Sequence, residues 1–309
     1  MRALGLSCLV LLGTCLAWNA ASAHGVGPPS VAAPGWTWDP WISAPLALSA
    51  VVFGAGWTRL RRRSRRGGEA LSHRAALFAG GWLTLAAALV SPLHQAGERA
   101  FSAHMLEHEL LMLLAAPLLV LSRPLSAMIW AFPANARQAL GAAARWPALA
   151  TLWNALTEPV TATLAQAAAL WLWHAPFLFD LALASDGWHV VQHLSFLVTA
   201  LFFWTAMLKP TRARPGLAVL CLFATSVISG ALGALMAFSE SPWYAAYAAL
   251  GMAPFGLTPA EDQQVAGLLM WIPGGVVHAG AALALVAAAL KNQRSFQDQP
   301  RGTADAVQP

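Results

Sequence analysis

The chain is poor in charge and in cysteine. Charged residues make up only 10% of its 309 residues, whereas 58% are hydrophobic, and a typical soluble domain carries about 25% charged residues. Cys8 and Cys15 lie near the N-terminus and Cys221 lies inside an apolar stretch, so no disulfide framework and no Cys-x-x-Cys metal clamp is available. These deficits exclude a soluble globular domain and a disulfide-rich secreted one. They predict an integral membrane protein.

The placement of the basic residues predicts the orientation of that protein. The net charge is +5, but the basic residues cluster in short segments between apolar stretches, as topology determinants do, which argues against a nucleic-acid partner. If the N-terminus of the mature chain lies outside, 16 of the 18 Lys and Arg residues lie on the inner side of the membrane. Of the other two, Arg2 lies in the leader and Arg99 faces out. The positive-inside rule therefore predicts an N-out, C-in arrangement.

The chain divides into four predicted segments. Arg2, the apolar residues 3–16 and the sequence Ala21-Ser22-Ala23 have the form of a secretory signal peptide with its cleavage site. Cleavage would leave His24 at the new N-terminus, where its amine and ring can bind Cu(II) together. We expect residues 1–23 to be a signal peptide, 24–40 a periplasmic arm, 41–290 a seven-helix transmembrane domain and 291–309 a disordered cytoplasmic tail.

The predicted fold class is an all-α, polytopic membrane helix bundle with about seven transmembrane helices. Each apolar stretch is close to the ~20 residues that a bilayer requires. The stretches are residues 41–58, 75–92, 102–121, 160–174, 188–208, 216–238 and 265–290.

Histidines concentrate at one predicted depth of this bundle. Two pairs, His104/His108 and His189/His193, have i, i+4 spacing, which puts each pair on one face of its helix. In the predicted topology both pairs lie near the outer ends of their spans, as does His174. Ionisable residues within a membrane are costly and usually mark a functional site. A metal or haem site is therefore predicted in the outer third of the membrane, although interfacial histidines also anchor helix ends.

The residues alone leave the chemistry of this site open. Imidazole binds copper, zinc and iron, and Met105 and Met112 would add thioethers suited to Cu(I). His104-Met-Leu-Glu107-His108 also matches the H-x-x-E-H pattern of inverted zinc peptidases, in which the glutamate is the general base. That pattern is short, and no clear third-ligand motif follows it. Haem between histidines of separate helices is another alternative, although two histidines on one helix cannot face each other across one iron.

Three blocks of the sequence resemble the cytochrome c oxidase assembly factor CtaG family, over roughly residues 40–290. The first block is Phe101-Ser-Ala-His-Met-Leu-Glu-His108, followed by Ala116-Pro-Leu-Leu119 and Arg123-Pro124. The second comprises Trp173-His174-Ala-Pro176, His189, His193, Ser195-Phe196 and Trp204. The third comprises Asp262-Gln263, Gly267, Trp271 and Pro273-Gly274-Gly275.

The resemblance implies a non-enzymatic protein of the bacterial inner membrane that is needed to form active haem-copper oxidase. Its expected role is to bind copper near the periplasmic face and to deliver it to, or stabilise, the oxidase subunit that carries the exported copper centre. The implied metal ligands are His104, His108, His174, His189 and His193. Residues expected to orient these ligands through hydrogen bonds are Glu107, Asp262 and Gln263. A haem-binding electron-transfer protein and a metal-dependent intramembrane enzyme are the alternatives.

Two local patterns concern the last span. Thr258-Pro259-x-Glu261 has the form of a capping box with proline at the first helical position, which predicts a capping role for Glu261. For Asp262, capping and ligand orientation are equally open. The Pro273-Gly274-Gly275 sequence predicts a kink or a close helix approach within the span.

Overall fold

The computed structural model describes residues 33–64, 67–208 and 215–297. Within these residues all regular structure is helical and no strand occurs. Six helical segments in the described part of the chain are long and apolar enough to cross a membrane, or seven if one sharply bent helix pair counts as a single span. The predicted class, an all-α polytopic membrane bundle, is confirmed. The predicted signal peptide with its cleavage site, and His24, lie outside the described residues, and the N-out orientation stays a prediction.

Fourteen α-helices follow one another along the described residues. They are α1 (Pro40–Arg63), α2 (Gly68–Val90), α3 (Pro92–Gly97), α4 (Phe101–Glu109), α5 (Ala116–Ser122), α6 (Leu125–Met128), α7 (Ala134–Ala143), α8 (Pro147–Leu156), α9 (Pro159–Trp173), α10 (Pro176–Ala184), α11 (Asp186–Leu208), α12 (Pro215–Ala237), α13 (Ala245–Leu250) and α14 (Pro259–Gln297). A π-helical turn (Leu110–Ala115) joins α4 to α5, and 3-10 turns occupy Ile129–Ala131 and Pro254–Gly256.

The spans begin where the sequence provides caps. The Asp39 carboxylate accepts a hydrogen bond from the Trp41 N–H at 2.9 Å and Pro40 follows it, so α1 has a side-chain cap and a proline start. In α14 the predicted capping box is formed: Glu261 Oε2 accepts from the Thr258 N–H at 2.8 Å. At its other end α14 continues to Gln297, beyond the expected start of the tail at residue 291. The rest of that tail is outside the described residues.

The third span is not a uniform α-helix. It runs over Phe101–Ser122 and contains the π-helical turn Leu110–Ala115 immediately before α5. Pro117 at the second position of α5 has no N–H and crowds the preceding turn, which favours a local widening of the helix there. The histidine-bearing α4 therefore ends at Glu109, before the span turns into α5.

The fourth span is broken. Helix α9 ends at Trp173 and α10 starts at Pro176, with an angle of 74° between them. Ala175 has extended backbone angles, as a residue before proline prefers. Residues 160–174 were predicted to span alone, whereas only α9 and α10 together pass as a membrane-spanning segment. The break leaves His174 at the corner.

Close packing of α12 against α14 positions the outer end of the last span. A Cβ on Gly267 would lie 2.5 Å from the Gly233 carbonyl oxygen and 2.6 Å from the Ala237 nitrogen, so the two backbones touch here. Small residues allow this approach in membrane bundles. The packing sets the start of α14 beside the start of α4.

Candidate metal centre

The two predicted histidine pairs face each other across the interface of α4 and α11. The ring centroids of His104 and His189 are 5.1 Å apart and those of His108 and His193 are 4.9 Å apart. The i, i+4 spacing places each pair on one helix face, and the two faces meet. We call His104, His108, His189 and His193, together with His94 and Glu107, the histidine centre.

Three of these imidazoles converge on one point. His104, His189 and His193 each offer a ring nitrogen, and the three nitrogens lie within 4.8 Å of one another. A metal ion bound about 2.0–2.1 Å from each nitrogen requires nitrogens a few ångströms apart. The spacing therefore suits a single small ion, whereas haem ligation would need two imidazoles on opposite faces of a macrocycle.

The histidine centre contains buried imidazole nitrogens that make no hydrogen bond, which is energetically unfavourable when no ligand is bound. Among the described residues, the buried Nε2 atoms of His104, His189 and His193 have no hydrogen-bond partner, and neither ring nitrogen of His108 has one. A buried polar group left unsatisfied costs about 1–3 kcal/mol. Such a concentration in one place indicates a site built for a ligand rather than for packing.

The tautomer of His104 follows from its tyrosine neighbour. The Tyr247 hydroxyl donates to the Gly97 carbonyl oxygen at 2.5 Å and lies 3.1 Å from His104 Nδ1. Since the single hydroxyl proton is used on Gly97, the hydroxyl oxygen must accept from the Nδ1–H of His104. This leaves the Nε2 lone pair of His104 free for a metal, which is the arrangement that metal-binding histidines usually have. Burial, and then the negative charge of Glu107, raise the pKa of Tyr247 well above its usual range.

Glu107 connects a further histidine to the centre. Its Oε1 atom lies 2.7 Å from His94 Nδ1 and 3.6 Å from His193 Nδ1. His94, Glu107 and His193 form a second group whose ligand atoms lie within 4.8 Å of one another. Burial lowers the pKa of His94, but the hydrogen bond to Glu107 and its charge outweigh that effect, so the pKa is raised overall. Glu107 contacts two histidines at once, as a residue that orients ligands would.

His94 was not among the predicted ligands. It reaches the centre because α3 folds back over α4: Ser91 caps α3 through its Oγ, which accepts from the Leu93 N–H at 3.2 Å. A Cβ on Gly97 would lie 3.3 Å from both Glu107 Oε2 and the His104 Cα, so the close packing of α3 against α4 depends on a glycine at this position. The Ser-Pro helix start just before His94 was a sequence signal that could have indicated this short helix.

His174 lies at the edge of the cluster rather than within it. Its ring centroid is 6.4 Å from that of His108. Its Nδ1 atom is 2.7 Å from the Leu170 carbonyl oxygen and its Nε2 atom is 3.3 Å from the Met105 sulfur. Because a carbonyl oxygen can only accept, His174 Nδ1–H donates to Leu170, and its Nε2 atom keeps a lone pair that the Met105 sulfur, itself an acceptor, does not satisfy. The ligand role that the resemblance implied for His174 therefore stays a prediction.

Asp262 and Gln263 act on the backbone rather than on the imidazoles. Asp262 accepts from the backbone N–H of Phe101 at 2.6 Å and from the Ser102 hydroxyl. Gln263 accepts from the Trp243 N–H at 2.6 Å. The expected direct hydrogen bonds to the ligands are therefore replaced by contacts that hold the start of α4 and the loop before α13. Both residues can therefore influence the position of the histidine centre, but they do so through hydrogen bonds to backbone N–H groups.

Two residues named from the sequence lie deeper in the bundle. His278 stacks on Trp204 with 5.9 Å between ring centroids, away from the outer histidines. The Met112 sulfur accepts a hydrogen bond from Gln166 Nε2 at 3.0 Å. Of the two methionines proposed as thioether donors, Met105 contacts His174 at the edge of the cluster.

Comparison with known proteins identifies one matching family. The sequence model described as Cytochrome c oxidase caa3 assembly factor (Caa3_CtaG) matches residues 51–292, which include the whole histidine centre. The chain is 28% identical over 253 residues to Uncharacterized protein Mb0105 of Mycobacterium bovis and to Uncharacterized protein MT0111 of Mycobacterium tuberculosis. These alignments cover 76% of this chain but 36% of each relative, so the chain spans about a third of the length of the curated relatives it matches. No solved structure matches the chain.

Proposed function

This chain belongs to the cytochrome c oxidase caa3 assembly factor family, and we propose from that premise that it binds copper at the histidine centre and hands it to a subunit of the oxidase. The role is non-catalytic. Copper is the cargo of the protein, and the receiving subunit is the one that carries the exported copper centre of the oxidase.

One observation carries the proposal: His104, His189 and His193 each offer a ring nitrogen within 4.8 Å of the other two, and the Nε2 atom of each has no hydrogen-bond partner among the described residues. Imidazole is a ligand for copper, zinc, iron and nickel, so the donor set fits copper without selecting it alone. Membership in an oxidase assembly family favours copper, since a haem-copper oxidase must acquire that metal while it is assembled.

The accessibility of the centre suits a protein that gives its metal away. His104, His108 and His193 are buried, whereas His94 and His189 are only partly buried. The two partly buried rings stack on each other with centroids 5.4 Å apart. The least buried side of the centre is therefore at this pair, and we propose that an ion enters and leaves on that side during exchange with a partner protein. We place this side toward the periplasm, in the inner membrane of a bacterium.

The experiment that tests the proposal is metal analysis of the purified full-length protein. We expect copper loading to fall by one equivalent per chain in the His104→Ala/His108→Ala variant. His73→Ala is the matched control, because His73 is exposed and lies in α2, a helix that carries none of the residues of the histidine centre. Equal copper content in all three proteins would overturn the proposal. A Soret band in the wild-type spectrum would instead support a haem-binding electron-transfer protein.

A further inference from the structure

A small pocket lies within the bundle, next to the histidine centre but separate from it. Its volume is about 30 Å³, enough for one ion or one to two water molecules. Helices α4, α9, α11, α12 and α14 and the π-helical turn surround it. We call it the mid-span pocket, and its polar and sulfur-bearing lining residues are Glu109, Met112, Gln166, Thr225, Trp204, Ser229, Met270 and His278.

Three of these side chains point unpartnered polar atoms at the interior. Glu109 Oε2, Gln166 Oε1 and His278 Nδ1 are buried and have no hydrogen-bond partner among the described residues. No lysine or arginine occurs among the described residues that line the pocket. One oxygen of the Glu109 carboxyl is thus buried with no lysine or arginine beside it among the described pocket residues, which is costly for a carboxylate unless it is protonated or a cation is bound.

The backbone around Glu109 keeps the space open. The π-helical turn begins directly after this residue, and such turns are frequent at functional sites. Opposite it lies Gly274 of the Pro273-Gly274-Gly275 sequence, where a Cβ would lie 3.9 Å from Glu109 Oε2. A Cβ alone would fit, but any longer side chain at position 274 would enter the pocket. The glycine thus preserves room in front of the carboxylate.

The lining supplies a soft set of metal ligands. Met112 and Met270 contribute thioethers, His278 an imidazole and Glu109 a carboxylate. Thioether and imidazole donors favour Cu(I) over hard cations. A single positive charge beside the one carboxylate makes the site neutral, which minimises the cost of placing an ion inside a membrane. Stacking on Trp204 fixes the ring of His278, and the Gln166 hydrogen bond fixes the sulfur of Met112.

We propose that the mid-span pocket is a second Cu(I) site, held by Met112, Met270, His278 and Glu109. The inference rests on the proposed copper function and extends it. Glu109 directly follows His108 in the chain, and Met112 is four residues after His108, about one helical turn deeper along the same span. The pocket is therefore a second copper-binding position next to the histidine centre.

The test counts Cu(I) per chain in the full-length protein, with Cu(I) supplied from a chelator under reducing conditions. We expect two equivalents in the wild type and one in the Met112→Leu/Met270→Leu variant. Glu109→Gln should also bind one equivalent. Met252→Leu is the matched control, because Met252 is 64% exposed and outside the pocket, and it should bind two. Circular dichroism of each variant establishes that it is folded.

X-ray absorption at the copper edge locates the remaining ion. In the His104→Ala/His108→Ala variant, the single copper should show sulfur scattering from the mid-span pocket. In the Met112→Leu/Met270→Leu variant, the remaining copper should show a spectrum dominated by nitrogen.

The outcomes separate this inference from the proposed function. One equivalent in the wild type, lost in His104→Ala/His108→Ala and kept in folded Glu109→Gln, would overturn the mid-span site and leave the proposed function standing. Copper kept in His104→Ala/His108→Ala but lost in the methionine variant would support the mid-span site and overturn the outer one. Absence of copper from every protein would overturn both.

Discussion

Asp262 of α14 accepts a hydrogen bond from the backbone N–H of Phe101 at 2.6 Å, across 161 residues of sequence. The first N–H groups of a helix have no partner within the helix, and a carboxylate can accept from them while its negative charge is favoured at the helix N-terminus. Asp262 therefore caps α4 from another span and fixes the axial position of the helix that carries His104. Because α12 packs on α14 through Gly233 and Gly267, the position of this cap depends on backbone contact elsewhere in the bundle.

Removal of this cap should weaken copper binding at a distance. We expect Asp262→Ala to lower the free energy of unfolding by about 1–2 kcal/mol, as loss of a helix cap does, and to lower copper affinity at the histidine centre. Thermal melting and chelator competition measure the two effects. Glu261→Gln is the neighbouring control, since Glu261 caps α14 itself and should leave copper affinity unchanged. Equal affinity in the two variants would contradict the cap's role.

Tyr247 should act on the metal through the His104 tautomer. Tyr247→Phe removes the hydroxyl that accepts from His104 Nδ1–H, and loss of such a ligand-orienting contact typically costs 10–100-fold in metal affinity. The variant should bind copper at least about 10-fold more weakly. Tyr244→Phe is the matched control, because the Tyr244 hydroxyl donates to the His174 carbonyl oxygen at 3.1 Å and does not touch the centre. Equal copper affinity in the two variants would show that Tyr247 only packs.

Substitution of Glu107 tests whether this residue serves metal binding or catalysis. Since its Oε1 atom contacts both His94 and His193, we expect Glu107→Gln to weaken copper binding about 10–100-fold. We expect Glu107→Gln and His94→Ala to be less than additive in a double-mutant cycle, because each removes the same contact. Copper competition for the four proteins of the cycle measures this.

The same variant tests the zinc-peptidase alternative. In that mechanism the glutamate of H-x-x-E-H is the general base, so Glu107→Gln would retain metal but abolish a hydrolytic activity. Proteolysis by the wild type that is lost in Glu107→Gln at unchanged metal content would contradict the assembly role.

The sequence allowed the helix class and the paired histidines to be predicted, because both follow from local periodicity. Apolar length indicated the spans, and i, i+4 spacing placed His104 with His108 before any tertiary contact was known. What could not be predicted depends on contacts between segments distant in the chain. The contact between His94 and Glu107 requires the short helix α3, which lies outside the spans. The carboxylate that accepts from the Phe101 N–H belongs to Asp262 in the last span. The bend between α9 and α10, which leaves His174 at the edge of the cluster, was likewise not predicted.

Backbone contact between α12 and α14 should be the most sensitive point of the fold. Gly267→Ala would place a Cβ 2.5 Å from the Gly233 carbonyl oxygen, so the helices must separate or the chain must misfold. Overpacking of this kind costs about 1–3 kcal/mol. Gly280→Ala, on the same helix with nothing within 4 Å of its added Cβ, is the matched control and should melt like the wild type. Unchanged melting of Gly267→Ala would contradict this packing.

Delivery of copper and holding of the oxidase subunit predict different behaviour in cells. In a strain that carries His104→Ala/His108→Ala in place of the wild-type gene, delivery predicts an oxidase subunit that is present in the membrane but depleted of copper. Added copper should then restore part of the oxidase activity, because mass action bypasses the missing carrier. A holding role predicts instead that the subunit itself is lost, and that added copper has no effect. Immunodetection of the subunit with copper analysis of the purified oxidase measures both. His73→Ala should behave like the wild type in the same strain, since an exposed histidine outside the centre has no part in either role.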